Sequence, residues 1–126
     1  SEASYGFTGE GEEQWAGFSA GPAGDVDMDG VADIMVGAFR YSLESERKVD
    51  VGKAYLIRMG LLGGTGTYSL QEAHASWVGE AESDAAGYKV GGIGDVNGDG
   101  LPDLIVSGWQ GDLPTGTGKI WVLLNP

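Results

Sequence analysis

Short apolar runs alternate with glycine-rich and acidic turns along this chain. The runs Ile34-Met35-Val36 and Leu104-Ile105-Val106 are brief, apolar and partly β-branched, which reads as buried strand rather than helix. Residues 3–8 mix small, polar and aromatic positions, and the pattern returns at 73–78. Three further pairs of segments match one another: 17–23 with 87–93, 33–39 with 103–109, and 53–58 with 119–124. The stretches 40–51, 59–72 and 110–117 are polar or Gly-rich and are expected to be connections within one domain. The fold class expected is all-β.

The matched segments are parts of an internal repeat. Shifting 7–39 by 70 positions lays it on 77–109 without a gap, and Gly9, Glu10, Glu12, Ala16, Gly17, Gly21, Gly24, Asp25, Val26, Asp29, Gly30, Asp33 and Val36 all recur. After a connection of different length the register resumes at an offset of 66, with Gly52-Lys53-Ala54-Tyr55-Leu56-Ile57 against Gly118-Lys119-Ile120-Trp121-Val122-Leu123. Each unit is one supersecondary module. Eight strands make two four-stranded antiparallel sheets only if the first strand completes the second repeat, an offset closure of the kind found in β-propellers, with 3–8 pairing with 119–124 either within one chain or by exchange between neighbours. The boundaries expected are blade one at about 17–78, and blade two at about 87–126 plus strand 3–8.

Both repeats carry the same acidic loop. Asp25, Asp27, Asp29 and Asp33 in one, and Asp95, Asn97, Asp99 and Asp103 in the other, stand at positions 1, 3, 5 and 9, with Gly30 and Gly100 at position 6. Carboxylates this crowded repel one another unless a cation sits among them. A hard ion taking six to eight oxygens at about 2.3–2.6 Å fits calcium better than magnesium. Position 7 offers a backbone carbonyl, here Val31 or Leu101, and glycine at position 6 permits the sharp turn. An EF-hand needs glutamate at position 12 and flanking helices, whereas position 12 is Val36 or Val106 inside a strand-like run. The reading is a strand–loop–strand calcium site in each repeat, two ions per chain. The alternative for one such loop is an Asp/Gly-rich turn that binds nothing, and two copies in matched contexts speak against it.

Charge sharpens the picture. The 126 residues carry 19 acids against 7 bases, a net charge of −12, and the excess is partly a signature of the loops. Such a balance argues against nucleic acid and anionic membranes as partners, but not against proteins or neutral glycans. No apolar run approaches the roughly 18–20 residues of a membrane span, so no membrane insertion is expected. Cysteine is absent, which excludes disulfides and zinc–thiolate sites. The first residue is not methionine, so a processed chain or an excised piece is expected.

These residues resemble the FG-GAP repeats of integrin α-subunit β-propellers and their bacterial relatives, over nearly the whole chain. The specific part is Gly94-Asp95-Val96-Asn97-Gly98-Asp99-Gly100-Leu101-Pro102-Asp103 before an apolar strand, with Gly87 eight residues ahead of Asp95, and Gly17 and Gly24 in the same places of the first repeat. Ala16 and Ala86 stand where the motif has its phenylalanine. Its Gly-Ala-Pro end is Gly37-Ala38-Phe39 in one copy and Ser107-Gly108-Trp109 in the other, and Met28 replaces a glycine at position 4. The resemblance implies antiparallel blades around an axis, each with a structural calcium in the loop between its first two strands. Rings of this family resemble seven-bladed propellers, and two blades cannot close a ring.

Two isolated sheets would leave large apolar faces bare, and Trp15, Phe39, Tyr55, Trp77, Tyr88, Trp109 and Trp121 are too many for them to hide. The expectation is a homo-oligomer closing a ring, a trimer or a tetramer, or the remainder of a longer propeller. Catalysis finds little support. His74 falls on a predicted strand, no thiol exists, and Glu10, Glu12, Glu80 and Glu82 recur in both repeats as a solvated rim would. The functional expectation is a non-catalytic calcium-binding module for extracellular adhesion or protein–protein interaction. The alternatives are a glycan-binding propeller of two-blade chains and an accessory domain of a secreted enzyme.

Overall fold

The computed structural model describes residues 3–110 and 114–125. Nine strands run in order: β1 (Tyr5–Thr8), β2 (Ser19–Gly24), β3 (Asp33–Ala38), β4 (Lys53–Ile57), β5 (Gly66–Ser69), β6 (Ala75–Val78), β7 (Ala86–Gly94), β8 (Asp103–Gly108) and β9 (Lys119–Leu123). The described residues contain no α-helix, only three short 3-10 turns. All eight expected strands are present. The ninth, β5, lies in the 59–72 stretch expected to be a connection.

The first sheet has the antiparallel order β2-β3-β4-β6 and the second the order β7-β8-β9. These are the β-propeller blades expected, one complete with four strands and one with three. A register shift between Pro22 and Gly24, matched by one between Gly92 and Gly94, bends each first strand as it enters its acidic loop.

Of the two pairings left open for strand 3–8, the one within the chain is absent. Strand 3–8 does not complete the second blade within this chain; β1 pairs with β5, in parallel, from Tyr5 with Gly66 to Thr8 with Ser69. The reason is placement. Phe7 packs on the face of the first sheet formed by Val36, Ala38, Tyr55 and Ile57. The opposite face of that sheet, with Met35, Ala54 and Leu56, packs on Leu104, Val106 and Trp121 of the second. The first sheet thus stands between β1 and β9, and four residues of strand cannot cross it.

The blades meet at unusually short range because glycine lines their contact. A Cβ on Gly37 would stand 2.0 Å from the Gly87 carbonyl oxygen, and Ser19 Oγ donates to that same oxygen at 2.8 Å. Between them Met35, Leu56 and Leu104 are fully buried. Tyr55 is buried and Phe39 nearly so, but Trp15 and Trp109 remain 53% and 46% exposed, in keeping with the surplus of aromatic residues.

Candidate metal centres

Each acidic loop is wound by its own side chains. Asp25 accepts the N–H of Asp29 at 3.0 Å on Oδ1 and that of Gly30 at 2.8 Å on Oδ2. Asp95 accepts from Gly98 at 2.7 Å, Asp99 at 3.0 Å and Gly100 at 2.7 Å. Asp29 and Asp99 then accept the N–H of Val31 at 2.8 Å and of Leu101 at 2.9 Å, two residues on. These short-range bonds are why the D-x-[DN]-x-D-G spacing folds into a turn wherever it occurs. They bring Asp25, Asp27 and Asp29 together, each offering an oxygen within 4.8 Å of the others. In the second loop Asn97 stands for Asp27, and its Nδ2 donates to Asp99 Oδ2 at 3.2 Å.

The position-9 residues do something more. Asp33 and Asp103 are fully buried. Asp33 Oδ2 accepts the Val26 N–H at 2.9 Å and its Oδ1 the Met59 N–H at 3.0 Å. Asp103 does the same with Val96 at 2.9 Å and Asn125 at 2.7 Å. A buried carboxylate must be satisfied in this way, and the bonds from Met59 and Asn125 draw the far end of each blade's third strand to the loop. Sequence reasoning missed the donors. Met59 and Asn125 are related by the same offset of 66, a signal masked because one is apolar and a backbone amide needs no particular side chain. Asn125 adds a bridge of its own, with Nδ2 donating to Val26 O at 2.9 Å and Pro102 O at 3.2 Å, so one side chain ties the two loops together.

Charge is unevenly settled among these groups. Burial and then the adjacent Asp29 charge push the Asp27 carboxyl up. Partial burial raises Asp25, but the N–H groups of Gly30 and Asp29 outweigh it and hold that carboxyl below its usual value. The Gly100 N–H leads those that lower Asp95. An oxygen-only donor set with repelling carboxylates at its mouth fits a hard divalent cation. In this arrangement Asp25, Asp27 and Asp29, and Asp95, Asn97 and Asp99, would hold it, and Asp33 and Asp103, each already bonded to backbone N–H groups through both oxygens, would reach it only through their remaining lone pairs.

Met28 adopts φ 58° where its counterpart Gly98 adopts 76°. A side chain in the left-handed region costs about 1–2 kcal/mol, so Met28→Gly should raise stability by about 1 kcal/mol after glycine's entropy is subtracted. A higher urea midpoint at unchanged slope is the expected reading; no change would mean that the exposed Met28 side chain makes a compensating contact.

Away from the loops, each repeat holds a lysine beside aromatic rings. Lys53 pairs with Glu10 and lies 4.7 and 5.1 Å from the ring centres of Tyr41 and Tyr55, and Tyr55 Oη donates to Glu10 at 2.8 Å. In the second repeat Lys119 lies 3.2 Å from Asp84 and 3.8 Å from Glu80, and Trp121 Nε1 donates to Glu80 at 2.8 Å. Glu10 is therefore not the solvated residue expected. Its recurrence as Glu80 marked a shared clasp, and the lysine partner 43 residues away was invisible to local reading. Burial raises the Glu10 and Asp84 carboxyls, but hydrogen bonds and the lysine charges outweigh it, leaving both below their ordinary values of 4.5 and 3.8. Such groups stabilise the fold above their unfolded pKa and lose that contribution as pH falls through the lowered folded value. The urea midpoint should thus drop on acidification below about pH 4.5, and Lys53→Gln should remove part of that drop.

His74 lies just before β6 rather than on it, and its Nδ1 accepts the Arg58 N–H at 3.0 Å. No described helix is long and apolar enough to cross a membrane.

The profile of the FG-GAP repeat matches residues 86–123. Integrin alpha pat-2 of Caenorhabditis briggsae is 35% identical over 102 residues, covering 79% of this chain and 8% of the relative. Integrin alpha pat-2 of Caenorhabditis elegans is 30% identical over 102 residues, with the same shares. Integrin alpha-PS2 of Drosophila melanogaster is 32% identical over 120 residues, covering 94% of this chain and 8% of the relative. The chain thus spans about 8% of the length of these curated relatives.

Proposed function

Because this chain belongs to the FG-GAP repeat family, with integrin α-like relatives, we propose that it is a two-blade unit of a calcium-stabilised β-propeller serving extracellular adhesion or protein–protein contact. The observation that carries this reading is the pair of loops: two oxygen-rich turns at equivalent places, each anchored by a buried aspartate to its own blade. The ion offsets the repulsion among Asp25, Asp27 and Asp29 and converts binding energy into folding energy. Its role is structural and the unit is non-catalytic, with His74 occupied in a backbone contact. The ligand set is Asp25, Asp27, Asp29, Asp33 and the Val31 carbonyl in one repeat, and Asp95, Asn97, Asp99, Asp103 and the Leu101 carbonyl in the other. Blade one occupies about 17–78 and blade two begins at about 87. Further blades complete the ring, from two or three more copies of the chain or from the remainder of a longer propeller.

Titration calorimetry tests the metal directly. Two calcium ions per chain are expected, and one after Asp27→Ala; absence of binding heat in the native chain would overturn the reading.

A second reading is favoured by one cleft. A cavity of about 300 Å³ between the blades is walled by Trp15 and Trp109 and holds Arg40, Asp50 and Ser83. Aromatic walls with a few hydrogen-bonding groups suit a sugar ring. Binding on a glycan array that disappears with Trp109→Ala would support this lectin-like role over protein contact. Service as an accessory domain of a secreted enzyme is compatible with either surface.

A further inference from the structure

We propose that Asn97 is a site of self-modification: in the metal-free second loop the Gly98 backbone nitrogen attacks its carboxamide, ammonia leaves, and aspartate or isoaspartate results. Asn97 stands among the calcium ligands proposed above, and the protective role given to the ion below rests on that reading.

The chain has two asparagines, and one of them is built to react. Closing a succinimide ring joins the asparagine Cγ to the nitrogen of the next residue, so that nitrogen must carry a hydrogen and stand clear of bulk. Asn97 is followed by Gly98, which adopts φ 76° and has nothing within 4 Å of its Cβ position. Both residues are exposed. Asn125 is followed by Pro126, whose nitrogen has no hydrogen to lose. Its Nδ2 is also tied to the Val26 and Pro102 carbonyls, so Asn125 serves as an internal control. Loop one is closed to the reaction. Its counterpart of Asn97 is Asp27, a poor electrophile when ionised, and the nitrogen that follows belongs to Met28.

The bonds that wind the second loop lead to each reacting atom. The Gly98 N–H donates to Asp95 Oδ1 at 2.7 Å, the acceptor to which its proton passes as the nitrogen attacks. The Asp99 N–H reaches Asp95 Oδ1 at 3.0 Å and Asn97 Oδ1 at 3.3 Å, and so faces the oxygen on which negative charge develops. Asn97 Nδ2, the leaving nitrogen, donates to Asp99 Oδ2 at 3.2 Å. The bond from Gly98 N to Cγ forms, the bond from Cγ to Nδ2 breaks, and the proton taken from Gly98 leaves through water with the amine as ammonia. Water then opens the ring. Attack at Cγ gives aspartate, and attack at the main-chain carbonyl gives isoaspartate.

The two products change the loop in opposite ways. Aspartate gives loop two the carboxylates at positions 1, 3 and 5 that loop one has in Asp25, Asp27 and Asp29. Isoaspartate routes the main chain through Cγ, which lengthens the turn by one backbone atom and spoils the spacing that winds it. An ion held by Asp95 and Asn97 engages both the proton acceptor and the carboxamide under attack, so the loaded loop is protected.

Peptide mapping by mass spectrometry, after warm incubation at neutral pH in chelator or in calcium, tests this against an unincubated sample. In chelator the peptide containing Asn97 should gain about 1 Da and split into two chromatographic species, one of them matching the Asn97→Asp variant. The peptide containing Asn125 should not change. Isomerisation at Asp99-Gly100 leaves the mass unaltered and so cannot imitate the result. Gly98→Ala should slow the gain several-fold, and the loop accommodates a side chain there, since loop one carries Met28 at φ 58°. No gain at Asn97, an equal gain at Asn125, or an undiminished rate in Gly98→Ala would overturn the reaction. Saturating calcium should slow the native rate several-fold. Equal rates in the two buffers while calorimetry shows two bound ions would overturn the protection. Equal rates with no ion bound would remove the metal reading and leave the chemistry of Asn97 standing.

Discussion

Gly37→Val should leave most of the chain unfolded at room temperature. Gly37 is the last residue but one of β3, where a Cβ would fall 2.0 Å from the Gly87 carbonyl oxygen and 2.4 Å from Ser19 Oγ. Both neighbours are part of the contact between the blades, and Gly87 is itself constrained, because its own Cβ position lies 2.4 Å from the Lys53 carbonyl oxygen. The Ser19 hydroxyl can rotate away, but the Gly87 carbonyl is backbone, so the blades must separate. Overpacking a core costs about 1–3 kcal/mol where side chains can yield, and a backbone collision costs more. Domains of this kind have about 5–15 kcal/mol in total. Gly91→Ala is the control, since that glycine has negative φ and open space around its Cβ position. Circular dichroism melts should show Gly91→Ala near the native transition and Gly37→Val without a cooperative one. Two coincident transitions would mean that the sheets are not in contact at Gly37 and Gly87.

Calcium should reverse the sign of a single substitution. Without the ion, Asp27→Ala removes a carboxylate that Asp29 repels, and forfeits only a long 3.3 Å bond to the Asp29 N–H. Stability in chelator should therefore be unchanged or slightly higher. With calcium at about 100 times its dissociation constant, each site contributes about 2.7 kcal/mol, and Asp27→Ala forfeits most of one such contribution. Asp95→Ala behaves differently because Asp95 also accepts three backbone N–H groups. It should destabilise in chelator and destabilise further in calcium. Thermal melts of both variants, with calcium and with chelator, give the four numbers needed. An Asp27→Ala penalty that is the same in both buffers would remove the ion from the account.

The acidic loops were legible because everything that winds them is close in sequence. Asp25 and Gly30, like Asp95 and Gly100, are five positions apart, so spacing alone carries the turn. The strands were legible for a similar reason, since β3 and β8 are apolar runs that need only a sheet on each side. β5 escaped notice because Gly66-Thr67-Tyr68-Ser69 has no apolar periodicity; it is a strand only because β1 lies beside it. The Glu10–Lys53–Tyr55 clasp escaped in the same way. Its residues recur in the second repeat, but a glutamate in a polar loop reads as solvated until a lysine 43 residues away is seen to reach it.

By itself, then, the sequence determined the repeat, the strand-forming segments, the two oxygen-rich turns and the family to which they belong, all properties encoded within a few residues or by self-comparison. Only the tertiary structure decided which edges meet. It put the first sheet between β1 and β9, gave β1 a parallel partner, and joined the two loops through Asn125, whose bond to Val26 spans 99 positions. The physical reason is that a strand's hydrogen-bonding edge is the same whatever its sequence. Pairing is chosen by which apolar faces are buried first, and that choice is made in space rather than along the chain.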